Sequence, residues 1–80
     1  MQQPLFFPGG ERFEGNYLNP ATPLNGTMFY PNGDKYSGSF KNNLRQGVGT
    51  YHYHNTQEYY EGEWENDLWQ GRGTYCVLSG

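Results

Sequence analysis

Polar and apolar positions alternate along most of the chain with a period of two. In "KYSGSFK", Tyr36, Gly38 and Phe40 fall on one face, opposite Lys35, Ser37, Ser39 and Lys41. In "GVGTYHYH", Gly47, Gly49, Tyr51 and Tyr53 share a face, opposite Val48, Thr50, His52 and His54. The pattern recurs with Tyr60, Gly62 and Trp64, and again with Gly71, Gly73, Tyr75 and Val77. A two-residue period is that of β-strands. Between the strands lie "KNNLRQ" and "ENDLWQ", read as loops, whose Asn42-Asn43 and Asn66-Asp67 pairs suit turns with positive φ. Each strand–turn–strand block is a β-hairpin. The glycine load opposes helix, at about 1 kcal/mol per residue.

The hairpins repeat. "GSFKNNLRQGVGTY" from Gly38 returns as "GEWENDLWQGRGTY" from Gly62, with glycines and rings in register while the charges differ. "RFEGNY", "KYSGSF" and "YYEGEW" open three units, and one residue is inserted near Thr56. The N-terminal "LFFPGGERFEG" matches "MFYPNGDKYSG". The organisation is therefore a partial repeat over 1–11 and units over 12–34, 35–57 and 58–80, with a further unit due to begin where the sequence stops at Gly80. The 12–34 unit diverges: "LNPATPLNG" replaces the usual loop, and Leu24 stands where a glycine is expected.

Composition explains why rings and glycines keep step. Of 80 residues, 34% are hydrophobic and 19% are aromatic, so rings supply more than half of the apolar side chains. An aliphatic interior is not available, and packing must be ring on ring. With glycines on the ring face, a ring can lie flat over the bare backbone of a neighbouring strand, where a larger side chain would push it away. Because a lone hairpin is marginal in water, the units must stack. The expected fold is all-β: tandem antiparallel hairpins in an elongated, curved meander sheet.

Charge and candidate chemistry then narrow the function. Net charge is −3 with no basic cluster, which disfavours nucleic acid as a partner. Cys76 is the single cysteine, so no internal disulfide forms. "MQQPLFFPGG" lacks the basic start and apolar run of a signal peptide, and the reading is a soluble, cytoplasmic protein. Ser37, Ser39 and Ser79 have no linked His and Asp, so no nucleophile–base set appears, and neither catalysis nor a cofactor is expected. His52 and His54 share a face, and Glu61 and Glu63 on the next strand are candidates to face them. The counterpart of His52 one unit on is Cys76, about 10 Å away, too far to share a metal ion, so no metal site is expected.

The units "KYSGSFKNNLRQGVGTYHYHN" and "YYEGEWENDLWQGRGTY" closely resemble the MORN repeat, roughly Y-x-G-x-W/F-x-N-G-x-x-H-G-x-G-x-Y/F followed by a P-x-G-like turn. The resemblance runs from Leu5 onward. Departures are Asn43 and Asp67 at the second turn position, and Gln46-Gly47 and Gln70-Gly71 in place of His-Gly. It implies a non-catalytic scaffold or adaptor with an aromatic-lined groove, of a family found in ciliary and other cytoskeletal assemblies, where some members dimerise. The expected lining is Tyr36, Phe40, Tyr51, Tyr53, Tyr60, Trp64 and Tyr75. Trp69, read as a loop residue, joins them either as an exposed contact at a hairpin tip or as a ring folded back on its own hairpin. An uncharged edge from Tyr75 to Leu78 invites strand pairing and end-to-end self-association. The alternative is a peripheral membrane or phosphoinositide-binding module, but Glu61, Glu63 and Glu65 counter the cations Lys35, Lys41 and Arg45.

Overall fold

A computed structural model describes residues 2–77. Seven antiparallel strands form one open sheet in sequence order: β1 (Leu5–Phe6), β2 (Arg12–Asn19), β3 (Thr22–Phe29), β4 (Lys35–Lys41), β5 (Leu44–His52), β6 (Tyr59–Glu65) and β7 (Leu68–Cys76). The expected all-β hairpin meander is what the chain forms, elongated to 40 × 25 × 22 Å. Leu78, expected in the last strand, and Ser79 lie outside the described residues.

Register aligns the glycines into one row across the sheet. Gly15 pairs with Gly26, Gly26 with Gly38, Gly38 with Gly49, Gly49 with Gly62, and Gly62 with Gly73. A ring lies over the glycine pair of each hairpin: Tyr36 and Tyr60 would collide with a Cβ added there, and Phe13 would be crowded by one at 3.0–3.1 Å. Two of these rings are pinned by their hydroxyls, Tyr36 donating to Ser39 O at 2.9 Å and Tyr60 to Glu63 O at 3.2 Å. A second ring from each of the later hairpins leans back over the hairpin before it. Phe40 meets Phe13 edge-on at 5.7 Å, and Trp64 meets Tyr36 edge-on at 5.4 Å. Trp64 also donates its Nε1–H to Gly49 O at 3.1 Å. The hydrophobic core is thus Leu5, Phe13, Met28, Tyr36, Phe40, Tyr60 and Trp64, all but two of them aromatic.

The turns divide into two families. At one end of the hairpins, Asn42-Asn43 (φ 54° and 66°) and Asn66-Asp67 (φ 51° and 71°) form the expected two-residue, left-handed turns. Pro20-Ala21 cannot copy them, since proline fixes φ near −65°. That turn is held instead by Ala21 N–H donating to Asn19 Oδ1, with two register shifts in β2–β3. At the other end, Tyr30 N–H donates to Asp34 O and Phe7 N–H to Glu11 O, both at 2.9 Å. The third such turn runs from Tyr53 to Glu58, one residue longer, with Gln57 at φ +61° where its counterparts have Gly10 and Gly33.

Two expectations need correction. Arg45 and Trp69 are strand residues, not loop residues, because the turns use only two residues and β5 and β7 begin at Leu44 and Leu68. Period-two alternation then carries back through Gly47 and Gly71, which puts both side chains on the ring face. Both glycines have positive φ beside a bulge in their hairpins. Nor do Glu61 and Glu63 face the histidines: His52 is opposite Tyr59, Glu61 opposite Thr50 and Glu63 opposite Val48. His54 lies beyond the end of β5, in the 53–58 turn.

The two kinds of glycine should respond differently to a methyl group. At Gly47 the added Cβ meets only Ser39 at 3.7 Å, so Gly47→Ala carries the left-handed backbone strain alone, about 1–2 kcal/mol. At Gly49 it overlaps the Tyr36 ring, so Gly49→Ala must displace a fully buried side chain, at about 3 kcal/mol or more. Denaturant unfolding of the two variants is expected to separate them in that order, and equal losses would disprove the close-approach role.

Candidate functional site: an aromatic groove held by Arg45

The ring face carries a groove, and one arginine stands in it. Arg45, on β5, projects among rings from three strands and a turn. Its guanidinium carbon is 4.9 Å from the Trp64 ring centre, 5.1 Å from Tyr51, and 5.9 Å from both Tyr30 and Tyr36. Nη1 donates to the Tyr30 hydroxyl at 2.9 Å, and Nη2 to Asp67 O at 3.0 Å. Nε lies 3.6 Å from Asp67 Oδ1, an ion pair without a hydrogen bond. That carboxylate oxygen instead accepts the Arg45 backbone N–H at 2.7 Å, while Asp67 N–H returns a bond to Arg45 O. Because Asp67 sits in the turn of the following hairpin, the pair clamps one repeat to the next.

Asp34 makes the matching clamp at the other end. Its carboxylate accepts His54 N–H at 2.7 Å and the Tyr51 hydroxyl at 2.9 Å, joining consecutive turns. Burial would raise the Asp34 carboxyl, but these bonds and one from Asn32 outweigh it and hold the group below its ordinary value. The Tyr51 hydroxyl is pushed up by burial and by Asp34. Burial likewise raises Tyr30, against the opposing charge of Arg45.

The Arg45–Asp67 pair borders two hollows. One, of about 410 Å³, has Phe7, Met28, Tyr30 and Phe40 in its walls. The other, of about 540 Å³, is walled by Tyr51, Tyr53, Trp64, Leu68 and Trp69. The eight rings expected to line the groove separate by accessibility. Tyr36, Phe40, Tyr60 and Trp64 are buried in the stack. Tyr51 and Tyr53 are half-buried, 4.7 Å apart. Trp69 is 47% exposed and Tyr75 41%. Of the two placements open for Trp69, it takes the fold-back one, stacking on Tyr60 at 4.3 Å with planes 6° apart, yet it leaves its outer face open. Tyr75 packs against Trp69 at 5.3 Å and donates its hydroxyl to Glu58 at 2.6 Å.

Arg45 and Asp67 do not stand out as site residues in the sequence, because Arg45 reads as a loop residue and Asp67, which does sit in a turn, reads as a turn former. The signal was present: Arg45, Gly47, Gly49, Tyr51 and Tyr53 are all odd-numbered, as are Trp69, Gly71, Gly73 and Tyr75, so extending each strand back to its turn reveals the shared face. Tyr30 is the counterpart of Tyr53 one unit earlier.

Residues 36–57 and 60–76 match the family model of the MORN repeat. The chain belongs to the MORN-repeat family. The match falls on β4–β5 and β6–β7, the two hairpins that carry the left-handed asparagine turns. No curated protein matches the chain closely enough to count as a relative. MORN repeats are interaction modules for proteins and membranes and are typically non-catalytic. Among the described residues no group of three or more His, Cys, Asp or Glu side chains could hold a metal ion.

Two tests follow from the clamp and the rings. Arg45→Lys keeps the charge but loses the planar fork that reaches Tyr30 and Asp67 together, so a loss of about 1–2 kcal/mol is expected in denaturant unfolding. A lysine variant as stable as the parent would remove the clamp from the account. At the alkaline end, burial pushes Tyr36 up to about 12, and the bond to Glu58 pushes Tyr75 up to about 12, from an ordinary 10.0. Phenols raised in this way stabilise the fold fully below the unfolded value and lose that contribution as pH rises through the folded one. Stability is therefore expected to decline between pH 10.0 and about 12, with a late phenolate absorbance step that shrinks by one group in Tyr36→Phe.

Proposed function

We propose that this MORN-repeat protein is a non-catalytic scaffold that grips an extended segment of a protein partner along its aromatic groove. The observation that carries the reading is the open face of Trp69 and Tyr75 beside the 540 Å³ hollow, on a ring face where Tyr36, Phe40, Tyr60 and Trp64 are buried. Tryptophan and tyrosine dominate binding energy where they offer rigid, amphipathic area at a pocket. Arg45, already neutralised by Asp67, leaves that hollow without net charge, which suits an uncharged stretch of peptide. The setting we infer, from the family's occurrence, is a cytoskeletal assembly such as that of a cilium. Retention in the cytoskeletal fraction after detergent extraction supports that setting, and release with membrane lipid favours the membrane alternative.

The groove is tested with the partner recovered from such an assembly. Trp69→Ala and Tyr75→Ala are expected to weaken its binding about 10–30-fold each, at unchanged β-sheet circular dichroism, since hot-spot truncations cost about 2 kcal/mol. Trp64→Ala is not a suitable variant, because Trp64 is only 4% exposed and its removal threatens the fold. Full binding by both exposed-ring variants would overturn the groove reading.

A further inference from the structure

The two ends of the sheet are unlike. Among the described residues no strand pairs with the outer edge of β7, and all but one of its nine residues are exposed. At the other end β2 is covered at only two positions, Leu5 opposite Phe13 and Phe6 opposite Arg12. Further along that edge one side chain stands in for a strand: Gln2 accepts Tyr17 N–H at 2.8 Å and donates to Tyr17 O at 3.2 Å. The stretch of β2 beyond Phe13 is thus sealed by a single amide group.

The repeat defines what would fit there. Leu5, Met28, Tyr51 and Tyr75 are equivalent positions, and the first three each pair with the ring that opens the next hairpin: Leu5 with Phe13, Met28 with Tyr36, Tyr51 with Tyr60. Tyr75 is the fourth, and its outer side is free among the described residues. β1 is therefore a two-residue remnant of the strand type that β7 supplies at nine residues.

We infer that β7 of one copy pairs antiparallel with β2 of the next, displacing Gln2–Phe6, in the register that already joins β5 to β6. Tyr75 then lies opposite the next copy's Phe13, Gly73 opposite its Gly15, and Cys76 opposite its Arg12. The glycine row runs on through the junction, and Tyr17 of the next copy takes the place opposite Gly71 that Trp64 holds opposite Gly47. On the opposite face, Thr74 meets Glu14, repeating the Thr50–Glu61 pair inside the sheet, and Arg72 comes diagonally beside the same carboxylate. Trp69 and Tyr75, exposed in the single copy, gain a neighbour. The contact joins unlike surfaces, so it does not close on itself and assembly is open-ended.

The test uses the full 80-residue chain. Light scattering over a concentration series is expected to pass beyond dimer in multiples of 9.2 kDa. A species that stays monomeric, or stops at dimer, overturns the proposal. Arg12→Cys fixes the register. Within one copy, positions 12 and 76 sit five strand spacings apart, about 24 Å, beyond the reach of a disulfide. Mild oxidation is expected to give a ladder of covalent oligomers whose linked peptides, read by mass spectrometry, join position 12 to Cys76. Linkage of Cys76 to Cys76 would instead show a symmetric β7–β7 dimer and sink the head-to-tail register. Gln2→Ala, which unseals the β2 edge without touching the ring stack, is expected to lower the concentration for assembly several-fold. Unchanged or weaker assembly would overturn the displacement step.

Discussion

A row of six glycines, running straight across six strands, is the constraint on which this sheet depends. A single-layer sheet has no second layer to bury its side chains against. Here the side chains bury themselves against backbone that glycine has left bare. Phe13, Tyr36 and Tyr60 lie over three glycine pairs, and the hydroxyls of Tyr36 and Tyr60 fix the depth of contact by bonding carbonyls of their own strands. Each hidden ring removes on the order of 150–250 Å² from water. A domain of 80 residues with few aliphatic side chains has little else of comparable size to bury.

Stacking converts this local contact into a cooperative array. Phe40 and Trp64 meet the opening ring of their own hairpin, Tyr36 at 5.1 Å and Tyr60 at 5.3 Å, and also that of the hairpin before, so consecutive hairpins share one core. Polar clamps reinforce the same direction of dependence. Asp67 reaches back to Arg45, and Asp34 reaches forward to His54 and Tyr51. The sheet is held along one edge of its turns by one carboxylate and along the other by a second. Among the described residues, Trp69 and Tyr75 are left partly open on the ring face, and the outer edge of β7 has no strand beside it.

The proposed function rests on those open rings. A face built wholly of satisfied rings would offer a partner only a smooth wall. The Arg45–Asp67 pair interrupts it, leaving hollows of about 410 and 540 Å³ with aromatic walls; the pair cancels its own charge in both, and Glu11 adds a carboxylate to the 410 Å³ one. The proposed scaffold role places an extended segment of a partner against these walls. The same repeat that builds the groove also fixes the chemistry of its ends, since every internal hairpin junction uses the register that β7 offers to a further strand.

The sequence by itself determined the architecture, because period two, the 23- and 24-residue spacing and the glycine–ring coincidence are local signals that a β-hairpin must display. It also determined the asparagine turns at Asn42-Asn43 and Asn66-Asp67, whose positive φ few other residues tolerate. Tertiary structure alone decided which rings are core and which are surface. Tyr36 and Tyr75 look alike in the pattern, yet Tyr36 has hairpins on both sides and Tyr75 lies on the edge strand, so burial depends on neighbours that no local window contains. It decided, too, that Arg45 is the centre of the site. An arginine after a turn reads as solvated, and only the convergence of Tyr30, Tyr51, Trp64 and Asp67 from separate elements makes the ring face its lowest-energy place.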